Sequence, residues 1–265
     1  MSGAWAGRIL RILAPILMGA LFIAAWDGVV RYFEIKPYIL PSPLLVAEAL
    51  RDSGGSLLVS LWYTLKVTAC ALVSATVIGA AVAVLFSQSR AVEISLYPYA
   101  VALQVTPIVA IAPLIIIWVD NAYLAVRICA WIVAFFPIIA NTTLGLKSAD
   151  RNLIALFRLY GASRWQILAY LQIPTALPSF LMGVRISGGL ALIGAVVAEF
   201  VAASGGTETG LAYRILESGY RLEIAKMFAA LLLLSLTGIV IYFSLDGISR
   251  WLLSRWHESA LPPEE

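Results

Sequence analysis

The chain has 265 residues, 62% of them hydrophobic and 12% charged, with a net charge of +3 and a mean hydropathy of +0.93. Soluble domains carry about 45–50% apolar and about 25% charged residues, so this composition excludes a soluble protein, and so small a net charge gives no reason to expect a nucleic-acid partner. The apolar runs are long and continuous rather than alternating, which predicts an integral membrane protein of all-α class rather than a barrel.

Six spans are expected, at about 9–30, 58–87, 92–119, 123–146, 175–203 and 225–248, each meeting the ~20 residues that cross a bilayer. They account for the whole of 1–265 as one membrane domain, with no internal repeat. In the first span Arg8 and Arg11 precede the apolar run Ile12 to Trp26. No clear small-x-small cleavage site follows, so the segment is expected to be retained rather than removed as a leader.

An even number of spans puts both termini on one side. If that side is cytoplasmic, the inner segments hold Arg8, Arg11, Arg90, Lys147, Arg151, Arg158, Arg164, Arg250 and Arg255, and the outer ones Arg31, Lys36, Arg51, Arg214, Arg221 and Lys226. Basic residues favour the cytoplasmic side, and this count favours cytoplasmic termini.

In the first outer loop, the prolines of Leu40-Pro41-Ser42-Pro43 stop a helix, and Leu44 to Arg51 is expected to form a short interfacial one. Span three carries Pro98, Pro107 and Pro113, and span four carries Pro137. Such kinks need neighbouring helices or a water-lined cavity to satisfy the freed carbonyls, which suits a conduit and equally any helix bundle. Span five repeats small residues at helical spacing, Gly183, Ser187, Ala191, Ala195, Ala198 and Ala202. That smooth face serves packing within one subunit, or else the wall of a pathway or a subunit interface.

Lys66, Arg127, Arg185 and Glu199 are the ionisable residues singled out at membrane depth. Such groups are costly in lipid and default to functional candidates, unless they lie close enough to an interface to snorkel. Lys66 and Arg127 are expected to snorkel. Arg185 and Glu199 share span five with the small face, so Pro107, Pro113, Arg185, Ser187, Ala191 and Glu199 are the candidates for a translocation path.

Catalytic chemistry is not expected. The stretch nearest a phosphate-binding loop, Gly205 to Gly210, lacks the required lysine. One histidine, His257, and two separated thiols in apolar spans, Cys70 and Cys129, offer no metal cluster, no nucleophile–base pair and no expected disulfide. Asn141-Thr142-Thr143 matches a glycosylation pattern but lies inside span four, where the match is fortuitous. A solute-moving protein with no mid-membrane acidic or histidine relay must receive energy from a partner.

The place to receive it is the polar insert at 147–178. Asp150 is positioned to cap a helix bearing Leu153, Leu156, Phe157 and Tyr160 at helical spacing, and Gly161 suits its left-handed end. A second helix is expected from about Ser163 to Ile173, ended by Pro174. The pair reads as a docking unit for a partner's groove or as an amphipathic interfacial element.

Gly161, nine residues, then Leu171-Gln172-Ile173-Pro174 resembles the cytoplasmic signature of permease subunits of ATP-binding-cassette (ABC) importers. Dispersed segments in the same order resemble the nitrate/sulfonate/taurine branch of that family. They are Leu40-Pro41-Ser42-Pro43, Thr106 to Leu114 with Trp118, Phe136-Pro137-Ile138, Asn141-Thr142, Gly161 to Trp165, Gly183-Val184-Arg185-Ile186 and Val197-Ala198-Glu199. The likeness covers about 37–250, with 147–174 as the coupling loop. One departure stands out: the family's Glu-Ala-Ala is here Ala155-Leu156-Phe157, so the carboxylate near Gly161 is missing.

The resemblance implies a homodimer in the bacterial inner membrane, two ATP-binding subunits beneath it and an extracytoplasmic solute-binding protein above. ATP and Mg would be bound by the ATPase partner, leaving this chain with no cofactor. Leu156, Phe157, Tyr160, Gly161 and Arg164 would contact the ATPase, and spans three to five would form the path. The branch carries small anions such as nitrate, sulfonates and taurine, as well as pyrimidine- and flavin-type vitamin precursors, and Thr106 to Trp118 is slightly more similar to the latter. A stand-alone secondary carrier or channel is the alternative.

Overall fold

A computed structural model describes residues 2–202 and 209–254, with side chains from residue 13. Among these residues the fold is entirely helical. In chain order the helices are α1 (Ser2–Tyr32), α2 (Pro43–Gln88), α3 (Arg90–Val105), α4 (Ile108–Trp118), α5 (Ala122–Lys147), α6 (Arg151–Leu159), α7 (Arg164–Ile167), α8 (Ile173–Ala202), α9 (Leu211–Tyr220) and α10 (Ile224–Leu253). A π-helical turn, Leu168–Gln172, joins α7 to α8.

Five helical segments are long and apolar enough to cross a membrane by themselves, and the bent pair α3 and α4 makes a sixth candidate. The third span is therefore not straight: it bends by 100° at its break. Of its three prolines only Pro107 breaks it. Pro107 has no N–H to continue the helix, and the residue before a proline is driven toward extended backbone. Thr106 adopts that conformation, at φ −70° and ψ 121°. Its hydroxyl and its N–H both donate to the Ala102 carbonyl, at 2.7 and 3.1 Å, closing off α3. Pro98 and Pro113 remain inside helices.

Two further boundaries differ from expectation. The interfacial helix at 44–51 is not separate but the start of α2, which runs unbroken past Gly54 and Gly55. Each glycine costs about 1 kcal/mol of helix stability, too little to end a helix this long. The segment before the last span contains a helix of its own, α9.

The chain forms two compact units. One comprises residues up to Val59 with Arg214–Leu233, and the other Ser60–Tyr213 with the chain from Leu234. In the first, Trp26 of α1 packs on Phe228 of α10, with ring centroids 5.9 Å apart.

The second unit is organised around α5 and α8. Without a hydrophobic drive between helices in lipid, close packing of small residues must hold them. A Cβ on Gly183 would stand 2.9 Å from the Pro137 carbonyl oxygen, and one on Gly194 2.9 Å from the Ala130 Cα. Only bare Cα positions admit that approach. Ser187 crosses the seam, its hydroxyl donating to the Ala134 carbonyl at 2.6 Å. Around it, Tyr63, Val67 and Ala71 of α2, Ala112 and Ile115 of α4, and Ala195 and Ala198 of α8 close on Cys129 and Ala130 of α5.

Candidate functional site

The polar insert folds as a hairpin of α6 and α7, and each backbone end within it is satisfied locally. Asp150 Oδ1 accepts from the Asn152 N–H at 2.7 Å, capping α6. At the far end Gly161 takes φ +73°. The Gly161 N–H donates to the Arg158 carbonyl and the Ala162 N–H to the Phe157 carbonyl, both at 3.0 Å. This is the paired bonding of a Schellman end, which a left-handed glycine permits without side-chain strain. Ser163 and Gln166 then form a reciprocal capping box that starts α7. The bracing uses no carboxylate at position 155, where the chain has Ala155.

The second helix of the hairpin does not stop at Pro174, contrary to the sequence reading. Proline cannot donate to the carbonyl four residues back. The ladder therefore widens through the π turn, in which the Ile173 N–H reaches the Leu168 carbonyl. The Thr175 hydroxyl donates to the Leu171 carbonyl at 2.7 Å. The hairpin is thus continuous with α8.

Of the residues expected to grip an ATPase, Phe157 turns inward. It packs with Ile154 and Ala162 on a small core of Ala149, Ile167 and Leu171, which holds the hairpin closed. Leu156, Gly161 and Arg164 are exposed, and Tyr160 is 85% exposed. Leu159, Trp165 and Tyr170, passed over in the sequence, are 84%, 70% and 73% exposed on the same hairpin and the turn after it. Leu156, Phe157, Tyr160, Ala162, Gln166 and Tyr170 border a recess of about 320 Å³.

The path candidates divide. Ser187 and Ala191 are fully buried, Ser187 against α5 and Ala191 in a core formed with α2 and α5. Pro107 and Pro113 are exposed along the bent span. Arg185 pairs with Asp246 of α10 at 2.5 Å and lies over the Tyr242 ring. Asp246 is also held by Arg250 at 2.5 Å. Asp246 went unnoticed in the sequence although it falls inside the expected span 225–248, one turn before Arg250, the same signal that marks Arg185. Lys66 is exposed, and the Arg127 guanidinium lies 5.6 Å from the Tyr123 ring centroid.

Glu199 is almost wholly buried. Its carboxylate accepts from the Thr64 hydroxyl at 2.9 Å and from the Ala212 N–H at 3.1 Å. Thr64 Oγ1 in turn accepts from the Leu211 N–H at 3.0 Å. Together they satisfy two of the free donors at the start of α9 and tie α2, α8 and α9 into one knot. His257, Arg255 and residues 205–208 of the glycine-rich stretch lie outside the described residues, as do the side chains of Arg8 and Arg11.

Between α3 and α5 lies a cavity of about 370 Å³ lined by Glu93, Tyr97, Ala140, Asn141, Thr143, Leu144 and Lys147. Lys147 and Glu93 form an ion pair at its edge. Asn141 donates from Nδ2 to the Pro137 carbonyl at 2.8 Å.

Known proteins match this arrangement. Residues 75–257 fit the family described as binding-protein-dependent transport system inner membrane component. The chain is 32% identical to the formylaminopyrimidine transport permease protein ThiX of Halalkalibacterium halodurans, over 93% of this chain and 97% of that one. It is 35% identical to the riboflavin transport system permease protein RibX of Chloroflexus aurantiacus, over 90% and 88%. In fold it is similar to a chain of the MetNI methionine ABC transporter in inward-facing conformations, with a TM-score of 0.63 at 23% identity, covering 73% of this chain and 95% of that chain. A hairpin braced outside a bundle of membrane-length helices, with these relatives, makes the chain a member of the binding-protein-dependent inner membrane components, the multi-pass permease subunit of an ABC importer.

Proposed function

We propose that this permease works as a homodimer and that the α6–α7 hairpin is where its ATPase partner seats. The observation that carries the reading is the uncovered apolar surface of Leu156, Leu159, Tyr160 and Trp165 on a rigidly capped hairpin. A helix with apolar anchors laid in a groove is a recurrent way to hold a partner protein. Leu156, Tyr160, Gly161 and Arg164 face that partner, and Phe157 fixes the hairpin's shape. ATP and Mg²⁺ belong to the ATPase, and this chain does no chemistry of its own. Both termini are cytoplasmic, as the basic-residue count favours.

The path runs along spans three to five of each copy. The polar recess between α3 and α5, with Tyr97, Asn141 and the Glu93–Lys147 pair, supports that course. Arg185 and Glu199 hold the framework through Asp246 and through α9.

The solute is a small heteroaromatic vitamin precursor of pyrimidine or flavin type. Over comparable lengths, identities of 32% and 35% to permeases named for formylaminopyrimidine and riboflavin exceed the 26% and 27% to those named for aliphatic sulfonates in Bacillus subtilis and taurine in Escherichia coli. Uptake by the complete transporter in vesicles tests both points. A pyrimidine or flavin should accumulate only with ATP, the ATPase and the binding protein present. Accumulation without an ATPase subunit refutes the coupling, and uptake of taurine or an alkanesulfonate instead refutes the solute class.

A further inference from the structure

Where α2 ends and the hairpin turns into α8, a cavity of about 440 Å³ is bordered by Ser87, Gln88, Arg158, Arg164 and Gln172, with Ile154, Ala162 and Ile167 as its apolar wall. It lies at the ends of two membrane-length helices: Gln88 is the last residue of α2, and Gln172 precedes the first residue of α8. The amide of Gln88 donates to Gln172 Oε1 at 3.3 Å, linking those two ends. With the hairpin read as cytoplasmic, the cavity faces the inner membrane surface, and the exposed ring of Tyr170 on the turn after the hairpin is a side chain that favours that layer.

Its electrostatics are unbalanced. Arg158 and Arg164, on the two limbs of the hairpin, both border the cavity, and no carboxylate among the described residues pairs with either. Arg185 and Arg214, by contrast, each have one. Two guanidinium groups bordering one pocket without a counter-charge offer an anion two cationic partners at once. Guanidinium forks match the oxygens of phosphate, and basic pockets between membrane helices on the cytoplasmic side take phosphate headgroups. The volume falls within the ordinary range of small-molecule sites.

We propose that this cavity binds a phosphate group, either the phosphodiester of an anionic phospholipid or free phosphate from solution, between Arg158 and Arg164. The apolar wall of Ile154, Ala162 and Ile167 receives the glycerol end of a lipid. An occupant braces the hairpin against the end of α2, and so acts on the element that carries force. The inference rests on the reading of the hairpin as cytoplasmic and ATPase-facing, where Arg164 has a second role.

The test uses the full chain in detergent, titrated with phosphatidylglycerol or phosphatidylcholine and read by native mass spectrometry. Wild type should retain phosphatidylglycerol at least about tenfold better than phosphatidylcholine. R158Q should lower that preference and R158Q/R164Q should abolish it, while L159A, outside the cavity, should leave it intact. Inorganic phosphate at millimolar concentration assigns the source. If it displaces phosphatidylglycerol, and raises the unfolding temperature of wild type but not of R158Q/R164Q, the site takes free phosphate as well; if it does neither while the lipid preference holds, the site is a lipid site. Equal retention of the two lipids together with no phosphate effect overturns the proposal, as does an unchanged preference in R158Q/R164Q. Co-purification with the ATPase separates the two readings: L159A losing the ATPase while phosphatidylglycerol selection fails in wild type sinks the anion site alone, and the reverse sinks the docking reading alone.

Discussion

Glu199→Ala and Glu199→Gln should differ sharply, and the difference can be worked from the knot at the head of α9. Alanine removes the acceptor for the Ala212 N–H and for the Thr64 hydroxyl at a site only 4% exposed. A buried donor left unpaired costs about 1–3 kcal/mol. The Thr64 hydroxyl escapes that cost by turning to the Ser60 carbonyl, 3.3 Å away. The Ala212 N–H has no such recourse, and the vacated volume adds a cavity penalty, so the loss should be about 2–4 kcal/mol. Glutamine keeps every bond by exchange: its carbonyl oxygen accepts from Ala212, its amide donates to Thr64 Oγ1, and Thr64 donates to Ser60. Its cost should stay below about 1 kcal/mol. By the usual size scaling, the alanine variant should unfold roughly 5–10 °C lower in detergent and the glutamine variant within about 3 °C of wild type. Gly210 supplies the internal check. A Cβ there would run into the Glu199 carboxylate, which Thr64 and Ala212 hold in place. Gly210→Ala should therefore destabilise wild type, yet cost measurably less in the Glu199→Ala background, where the obstruction is gone. Glutamine as damaging as alanine would show that the negative charge, not the acceptor geometry, is what matters. Additivity of the Gly210 and Glu199 changes would refute the packing argument as well.

Gly161→Val forces a β-branched residue to φ +73°, at about 1–3 kcal/mol of local strain. It should weaken ATPase co-purification far more than it lowers the chain's own unfolding temperature. Asp246→Asn strips both Arg185 and Arg250 of their carboxylate, whereas Arg250→Ala leaves the partly buried Arg185 paired. The asparagine variant should be the less stable by about 1–3 kcal/mol, measured by thermal unfolding, and the reverse order would contradict the pairing. Glu217 of α9 accepts from Arg214, which with the charges of Arg214, Arg221 and Lys226 holds its carboxyl below the usual range. A depressed carboxyl stabilises the fold above its unfolded-state value and ceases to as pH falls through the folded one. Acidification should therefore lower the unfolding temperature of wild type more than that of Glu217→Gln, in a window beginning near pH 5 and extending below pH 4.

Much of this was readable because it is local. Composition and long apolar runs dictate membrane helices, and Asp150 and Gly161 announce the ends of α6 by side-chain chemistry that acts within a few residues. The family resemblance rested on the same kind of short-range spacing. What escaped depends on distance or on competition. Arg185 finds Asp246 from 61 residues away, and no periodicity on one helix announces a partner on another. Pro107 breaks its span while Pro98 and Pro113 do not, although all three lack the same N–H. Pro174 looked like a stop, yet the π turn absorbs it. The small face of span five was legible as a surface but not in its use, which α5 decides by supplying the backbone that Gly183, Ser187 and Gly194 lie against.

The fusion of hairpin and span changes how the proposed coupling has to work. Had Pro174 ended the second helix, a flexible joint would have stood between the ATPase seat and the bundle, and hairpin motion would have dissipated in it. Instead α7, the π turn and α8 form one helical rod. π turns are local irregularities often found at functional positions. Here the rod has three restraints along its length: the Gln172 amide bond to α2, the close seam with α5, and the Glu199 knot at its far end. A rod clamped at its middle and joined to a lever at one end pivots rather than slides. Movement of the hairpin should therefore reach α9 as a tilt of α8 about the Gly183–Gly194 seam, and widening that seam should uncouple the two ends while leaving each intact.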